Sequence, residues 1–112
     1  TGRVAVIDCV TLWLTNIFTP PEVSLRVATA EVQSPDIDAI LQRAKTEFDH
    51  FTAADATYIF VTNEIGLGGV SENVLQRKFT DLEGRMNQYI AAHADEVILM
   101  VSGIPLEVKS KE

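Results

Sequence analysis

Val4-Ala5-Val6-Ile7-Asp8-Cys9 is the stretch whose reading decides the fold. Val4 to Ile7 is a continuous apolar run, mostly β-branched, and too short for a helix. It lacks the alternation of a strand with one wet face. Such runs belong to strands covered on both sides, the environment of a parallel sheet. Asp8 ends the run with a charge. In open parallel sheets ligands bind outside the carboxyl ends of the strands, so Asp8 stands where chemistry is commonly found.

Working outward, Thr11 to Phe18 carries apolar residues at helical spacing (Leu14, Ile17, Phe18), and Pro20-Pro21 cannot continue the ladder. Residues 22–33 read equally as strand, helix or loop. Ser34 as N-cap, Pro35 in the first turn and Asp36 at the positive end then announce a helix over about 35–52. Its apolar stripe is Ile37, Ile40, Leu41, Ala44, Phe48 and Phe51. Tyr58 to Thr62 is a second buried-type strand. A glycine-bearing loop, Asn63 to Val70, leads to Ser71 as the cap of a helix over about 72–93, with apolar positions at Leu75, Phe79, Leu82, Met86, Tyr89 or Ile90, and Ala94. Val97 to Val101 is a third strand. Ser102 to Pro105 turns the chain, and Leu106 to Lys109 fits a short returning strand. Strands alternating with helices imply βαβ units and a mainly parallel sheet with flanking helices. Three such strands make a thin sheet with apolar edges, which points to strands not contained in this sequence.

The 112 residues carry 9 Lys+Arg against 16 Asp+Glu, a net charge of −7, with 46% hydrophobic residues. That balance fits one soluble domain. The acidity argues against nucleic acid, whose binding needs a basic face. One cysteine, Cys9, excludes an internal disulfide. No apolar run approaches the roughly 20 residues of a membrane span. The sequence opens Thr-Gly-Arg and reaches a buried-type strand within three residues, so it is expected to be part of something larger.

Three strand ends offer chemistry: Asp8, Asn63-Glu64, and Ser102-Gly103. An Asp after an apolar strand has the Walker-B form, binding Mg²⁺, often through water, beside nucleotide phosphates. An acid there also serves as a helix cap or loop hydrogen-bonder, and the residue alone leaves both roles open. Glu64 is the acid best placed for proton transfer or a metal-adjacent role; ordering the loop is its plainer alternative. The glycine loop fails the G-x-G-x-x-G pattern at Ser71, and no glycine precedes Lys-Ser or Lys-Thr. Arg85 lies four residues after Asp81, spacing that favours a surface pair. Gly84 suggests close approach of another backbone or simple tolerance. His50 and His93 have no ligand at metal-binding spacing and read as helix-end residues.

Three segments together are more specific than any alone: Val6-Ile7-Asp8-Cys9-Val10-Thr11-Leu12-Trp13-Leu14-Thr15-Asn16, Val61-Thr62-Asn63-Glu64-Ile65-Gly66-Leu67-Gly68, and Phe79-Thr80-Asp81-Leu82-Glu83-Gly84-Arg85-Met86-Asn87-Gln88. In this order they closely resemble the C-terminal part of the bifunctional adenosylcobinamide kinase / adenosylcobinamide-phosphate guanylyltransferase family. Residues 19–56 match only in general character. The resemblance implies a cytoplasmic enzyme of cobalamin assembly with a RecA-like P-loop fold, here incomplete: residues 1–112 would be the C-terminal portion of one nucleotide-binding domain. It implies phosphorylation of adenosylcobinamide, then transfer of GMP from GTP through a guanylylated histidine, with ATP and GTP as substrates and Mg²⁺ as cofactor. The family's glycine loop and histidine both precede the strand matching Val4 to Ile7, so neither role passes to His50 or His93. Asp8 is implied to contact nucleotide or Mg²⁺, Asn63 the nucleotide, and Glu64 the nucleotide or substrate. Arg85 and Asn87 are implied to be structural or at a subunit interface of a homotrimer. A non-catalytic α/β interaction module, or a piece of another P-loop NTPase, remains the alternative.

Overall fold

The computed structural model describes residues 2–18, 36–65, 69 and 72–111. Its elements run β1 (Val4–Asp8), α1 (Val10–Phe18), α2 (Ile37–Phe51), β2 (Thr57–Val61), α3 (Val74–His93), β3 (Val97–Val101) and β4 (Ile104–Lys109). β1 and β2 pair in parallel, with Val4 opposite Thr57 and Asp8 opposite Val61. The α/β class and the parallel pairing are as the sequence predicts. The ambiguous segment 22–33, Ser34, Pro35 and most of the glycine loop lie outside the described residues.

One continuous, mainly parallel sheet is not what forms among the described residues. β3 pairs antiparallel with β4, and these two make a sheet separate from β1-β2. The returning strand was expected; the separation was not. Its cause is local. Ser102 (φ 51°) and Gly103 (φ 79°) both occupy the left-handed region, the two-residue turn geometry whose twist suits a hairpin. Closing so short a loop costs far less entropy than a long-range pairing. The tight turn also starts β4 at Ile104 rather than Leu106, and β2 runs one residue earlier than expected, over Thr57–Val61.

Helix starts differ too. Asp36 caps α2, its side chain accepting from the Ala39 amide, and Asn73 caps α3 by accepting from the Gln76 amide. Each is a short acceptor placed where a first-turn N–H needs a partner. Both helices therefore begin slightly later than the expected Ser34 and Ser71 caps would have them begin.

The core lies among the helices. Val10, Leu14 and Phe18 of α1, Leu41, Ala44 and Phe48 of α2, and Leu82, Met86 and Ile90 of α3 are buried together. Spacings of three and four put each triplet on one stripe. Phe18 meets Phe79 edge-on at 5.4 Å. Phe48 joins the helices to the sheet, with ring centroids 5.0 Å from Phe60 and 5.8 Å from Tyr89. Tyr89 in turn donates its hydroxyl to Asp49 at 2.7 Å, holding α3 to α2. Gly84 has nothing within 4 Å of where a Cβ would stand, so among the described residues no close backbone approach explains it.

Phe48→Ala should cost about 3–5 kcal/mol, the usual price of truncating a buried aromatic. Phe51→Ala, at a half-exposed ring on the same helix, should cost well under half of that. Urea denaturation of both variants checks the contrast; equal losses would contradict this account of the core.

Candidate functional site

Parallel register builds the site. With Asp8 opposite Val61, both strands end at the same level, and the chain leaves β2 as Thr62-Asn63-Glu64 beside the start of α1. The Asp8–Cys9 peptide bond is cis. Asp8, Asn63 and Glu64 are all exposed at this carboxyl edge.

A hydrogen-bond chain fixes the edge. Thr11, in the first turn of α1, accepts from Asn63 Nδ2 at 2.9 Å and donates through Oγ1 to Glu83 Oε1 at 3.1 Å. Asn87, one turn further along α3, accepts from the Thr62 hydroxyl at 2.7 Å and donates Nδ2 to the Asn63 carbonyl at 3.0 Å. Strand end, helix start and α3 are thus tied by the side chains of Thr11, Thr62, Asn63, Glu83 and Asn87. Asn87 holds the backbone that presents Asn63 and Glu64. Arg85 lies apart from this chain: it pairs with Asp81 at 3.1 Å and with Asp38 of α2 at 3.6 Å. At half-exposed groups such pairs contribute little stability.

Glu83 is the residue that sequence reasoning did not single out. It is 0% exposed, and its Oε2 finds no hydrogen-bond partner among the described residues. Burial pushes its carboxyl above the ordinary glutamate value; the Thr11 hydrogen bond opposes this, the Glu64 charge adds to it, and the Asn63 backbone N–H opposes it. The available signal was its phase. Glu83 falls four residues after Phe79, three before Met86 and seven before Ile90, on the stripe that α3 buries.

Among the described residues no three His, Cys, Asp or Glu side chains converge as a metal-binding set. Magnesium does not require one, because it keeps several waters and takes only one or two carboxylates with substrate phosphates. The exposed carboxylates of Asp8 and Glu64 and the amide of Asn63 are hard oxygen donors of the type it accepts. An open apolar groove of about 400 Å³, lined by Ile7, Trp13, Glu47, Phe48, Phe51 and Phe60, lies elsewhere, against α2.

Glu83 makes stability depend on pH with a definite sign. A carboxyl whose folded pKa is raised binds its proton more tightly in the folded state. Its stabilising share is complete below the unfolded value of about 4.3 and is lost as pH rises through the raised folded value. Glu83→Gln should therefore gain on the wild type as pH climbs through that window. Denaturation midpoints of the two proteins across pH 4 to 8 check this; parallel profiles would contradict it.

Comparison with known proteins gives the site its context. The family model described as cobinamide kinase / cobinamide phosphate guanyltransferase matches residues 1–108. The bifunctional adenosylcobalamin biosynthesis protein CobU of Escherichia coli is 36% identical over 112 residues, covering 96% of this chain and 59% of that protein. The protein of the same name from Salmonella typhimurium is 56% identical over 54 residues, covering 48% of this chain and 30% of its own length. CobP of Pseudomonas aeruginosa is 30% identical over 110 residues, covering 98% and 56%. The chain spans less than two thirds of each of these relatives. With nearly its whole length matched, it belongs to the cobinamide kinase / cobinamide phosphate guanyltransferase family.

Proposed function

We propose that residues 1–112 are the C-terminal portion of a single P-loop nucleotide-binding domain, in an enzyme that phosphorylates adenosylcobinamide and transfers GMP from GTP to the phosphorylated product. The observation that carries this reading is the shared edge: parallel register brings Asp8 and Asn63-Glu64 to one level, and Thr11 and Asn87 hold Asn63 there.

Each residue has a role suited to its place. Asp8, at the rigid end of β1, is the carboxylate that holds hydrated magnesium next to nucleotide phosphates. Bound there, magnesium would neutralise charge that builds on the phosphates. Asn63 has one amide hydrogen engaged with Thr11 and offers its remaining donor and its acceptor to the nucleotide. Glu64, exposed beside it, takes the proton from the attacking hydroxyl of adenosylcobinamide as the new oxygen–phosphorus bond forms and the bond to the leaving nucleoside diphosphate breaks. Asn87 and Arg85 position the strand end and the helix pair.

Cradling the phosphates needs convergent backbone N–H groups and a lysine. Forming a guanylyl intermediate needs a nucleophilic histidine. The resemblance assigns both to the part of the family that precedes this strand, so these residues alone are inactive in either reaction.

In the full-length protein, Asp8→Asn should lower nucleotide-dependent turnover on the order of 100-fold or more and leave the unfolding midpoint nearly unchanged. A non-catalytic module predicts no such loss, so unaltered turnover would sink the enzymatic reading. Residues 1–112 incubated alone with labelled GTP should acquire no acid-labile label; a labelled histidine would refute their inactivity.

A further inference from the structure

Asn63 is tied at three points at the carboxyl edge. Its carbonyl accepts from Asn87 Nδ2 at 3.0 Å, its backbone N–H faces the Glu83 carboxyl, and its side-chain Nδ2 donates to Thr11 Oγ1 at 2.9 Å. The sense of the last bond follows from its neighbours. A threonine hydroxyl has one proton, and Thr11 gives it to Glu83 Oε1 at 3.1 Å. Two donors, this hydroxyl and the Asn63 backbone N–H, converge on Glu83, so the carboxyl accepts on that side. A proton bound by Glu83 is left to Oε2, which meets no partner among the described residues. With its own proton committed, Thr11 has only lone pairs to offer, and Asn63 turns Nδ2 toward it.

We propose that Glu83, acting through Thr11, is a positioning residue that fixes the polarity of the Asn63 amide. The nucleotide group met there is then a hydrogen-bond donor, a ribose hydroxyl or a base amino group, and not a phosphate oxygen. An unconstrained amide can turn either end to a ligand. Here Nδ2 is held at Thr11, which leaves Oδ1, an acceptor, as the end turned away from it. A phosphate oxygen also only accepts, and would set lone pair against lone pair. The burial of Glu83 fits this task. At 0% exposure it reaches no ligand itself, and a carboxyl there is costly to bury. An apolar side chain would fill the same space but would release the Thr11 proton, and with it the orientation of Asn63.

Such a relay has a purpose only if nucleotide binds at this edge, so the assignment rests on the function proposed above. The Asp8→Asn turnover experiment tests that function separately. If Asp8→Asn leaves turnover intact, the nucleotide reading of the edge fails. If it lowers turnover and no donor discrimination depends on Thr11, the relay alone fails.

The test is equilibrium binding of nucleotides to the full-length protein in the presence of magnesium. The probes are GTP, its 2′-deoxy and 3′-deoxy forms, and inosine triphosphate, which lacks the amino group of the base. One analogue should bind on the order of tenfold more weakly than GTP, because it leaves Oδ1 without its donor. A penalty at a deoxy form assigns the contact to the ribose; a penalty at inosine triphosphate assigns it to the base. The penalty should all but vanish in Asn63→Ala, and equally in Thr11→Val and Glu83→Leu, which break the relay. It should persist in Thr11→Ser, which keeps the hydroxyl, and in Glu83→Gln, which keeps an acceptor where the two donors converge. A role in packing alone would not separate these pairs. No penalty in the wild type, a penalty that survives Asn63→Ala, or equal discrimination in Thr11→Val and Thr11→Ser would overturn the proposal. Should Glu83→Leu fail to fold, the Thr11 pair and Glu83→Gln decide it, since loss of discrimination in Glu83→Gln overturns it equally.

Discussion

The parallel pairing of Val4–Asp8 with Thr57–Val61 is the constraint from which the rest follows. Parallel strands cannot be joined by a tight turn, so the connection must climb back over the sheet. α1 and α2 lie on that return path, and the core they form with α3 comes from it. The pairing also makes the two carboxyl ends coincide. Asp8 and Asn63-Glu64 are more than fifty residues apart in sequence, and only this register brings them to one edge.

Holding that edge is a matter of side chains. Thr11 is suited to the work because a hydroxyl donates and accepts at once. It receives the Asn63 amide on one side and gives its proton to Glu83 on the other. Glu83 is an expensive anchor, since a buried carboxyl oxygen without a donor costs roughly 1–3 kcal/mol. Protonation lessens that cost, in keeping with the upward shift that burial imposes. Asn87 does the complementary task without charge, engaging Thr62 and the Asn63 carbonyl together.

Much of this was legible in the sequence because it rests on local rules. The stripe Leu41, Ala44, Phe48 and the burial of Leu82, Met86 and Ile90 follow from period alone. The Arg85–Asp81 pair follows from i,i+4 spacing. What escaped depends on competition or on distance. Cap choice escaped because Ser34, Asp36, Ser71 and Asn73 are all competent acceptors, and only backbone geometry selects among them. Sheet continuity escaped because the Ser102-Gly103 turn decides only one partner of β3, and no local rule decides what its other edge meets. Glu83 escaped for a different reason. Charged residues in an amphipathic helix are ordinarily read as its wet face, and its partner Thr11 is 72 positions away.

The charges at the edge define what the missing chemistry must be. Asp8 and Glu64 face solvent there with Glu83 behind them, while Arg85 is engaged with Asp81 and Asp38 on another part of α3. An acidic edge repels a polyphosphate at close range. It becomes useful to one only when a divalent cation stands between, or when donors opposite the acids hold the phosphates. Under the proposed reading, these residues supply the carboxylates and their supports, and the cationic and N–H half of the site comes from outside them. The unneutralised acids at this edge are then one half of a division of labour along the polypeptide.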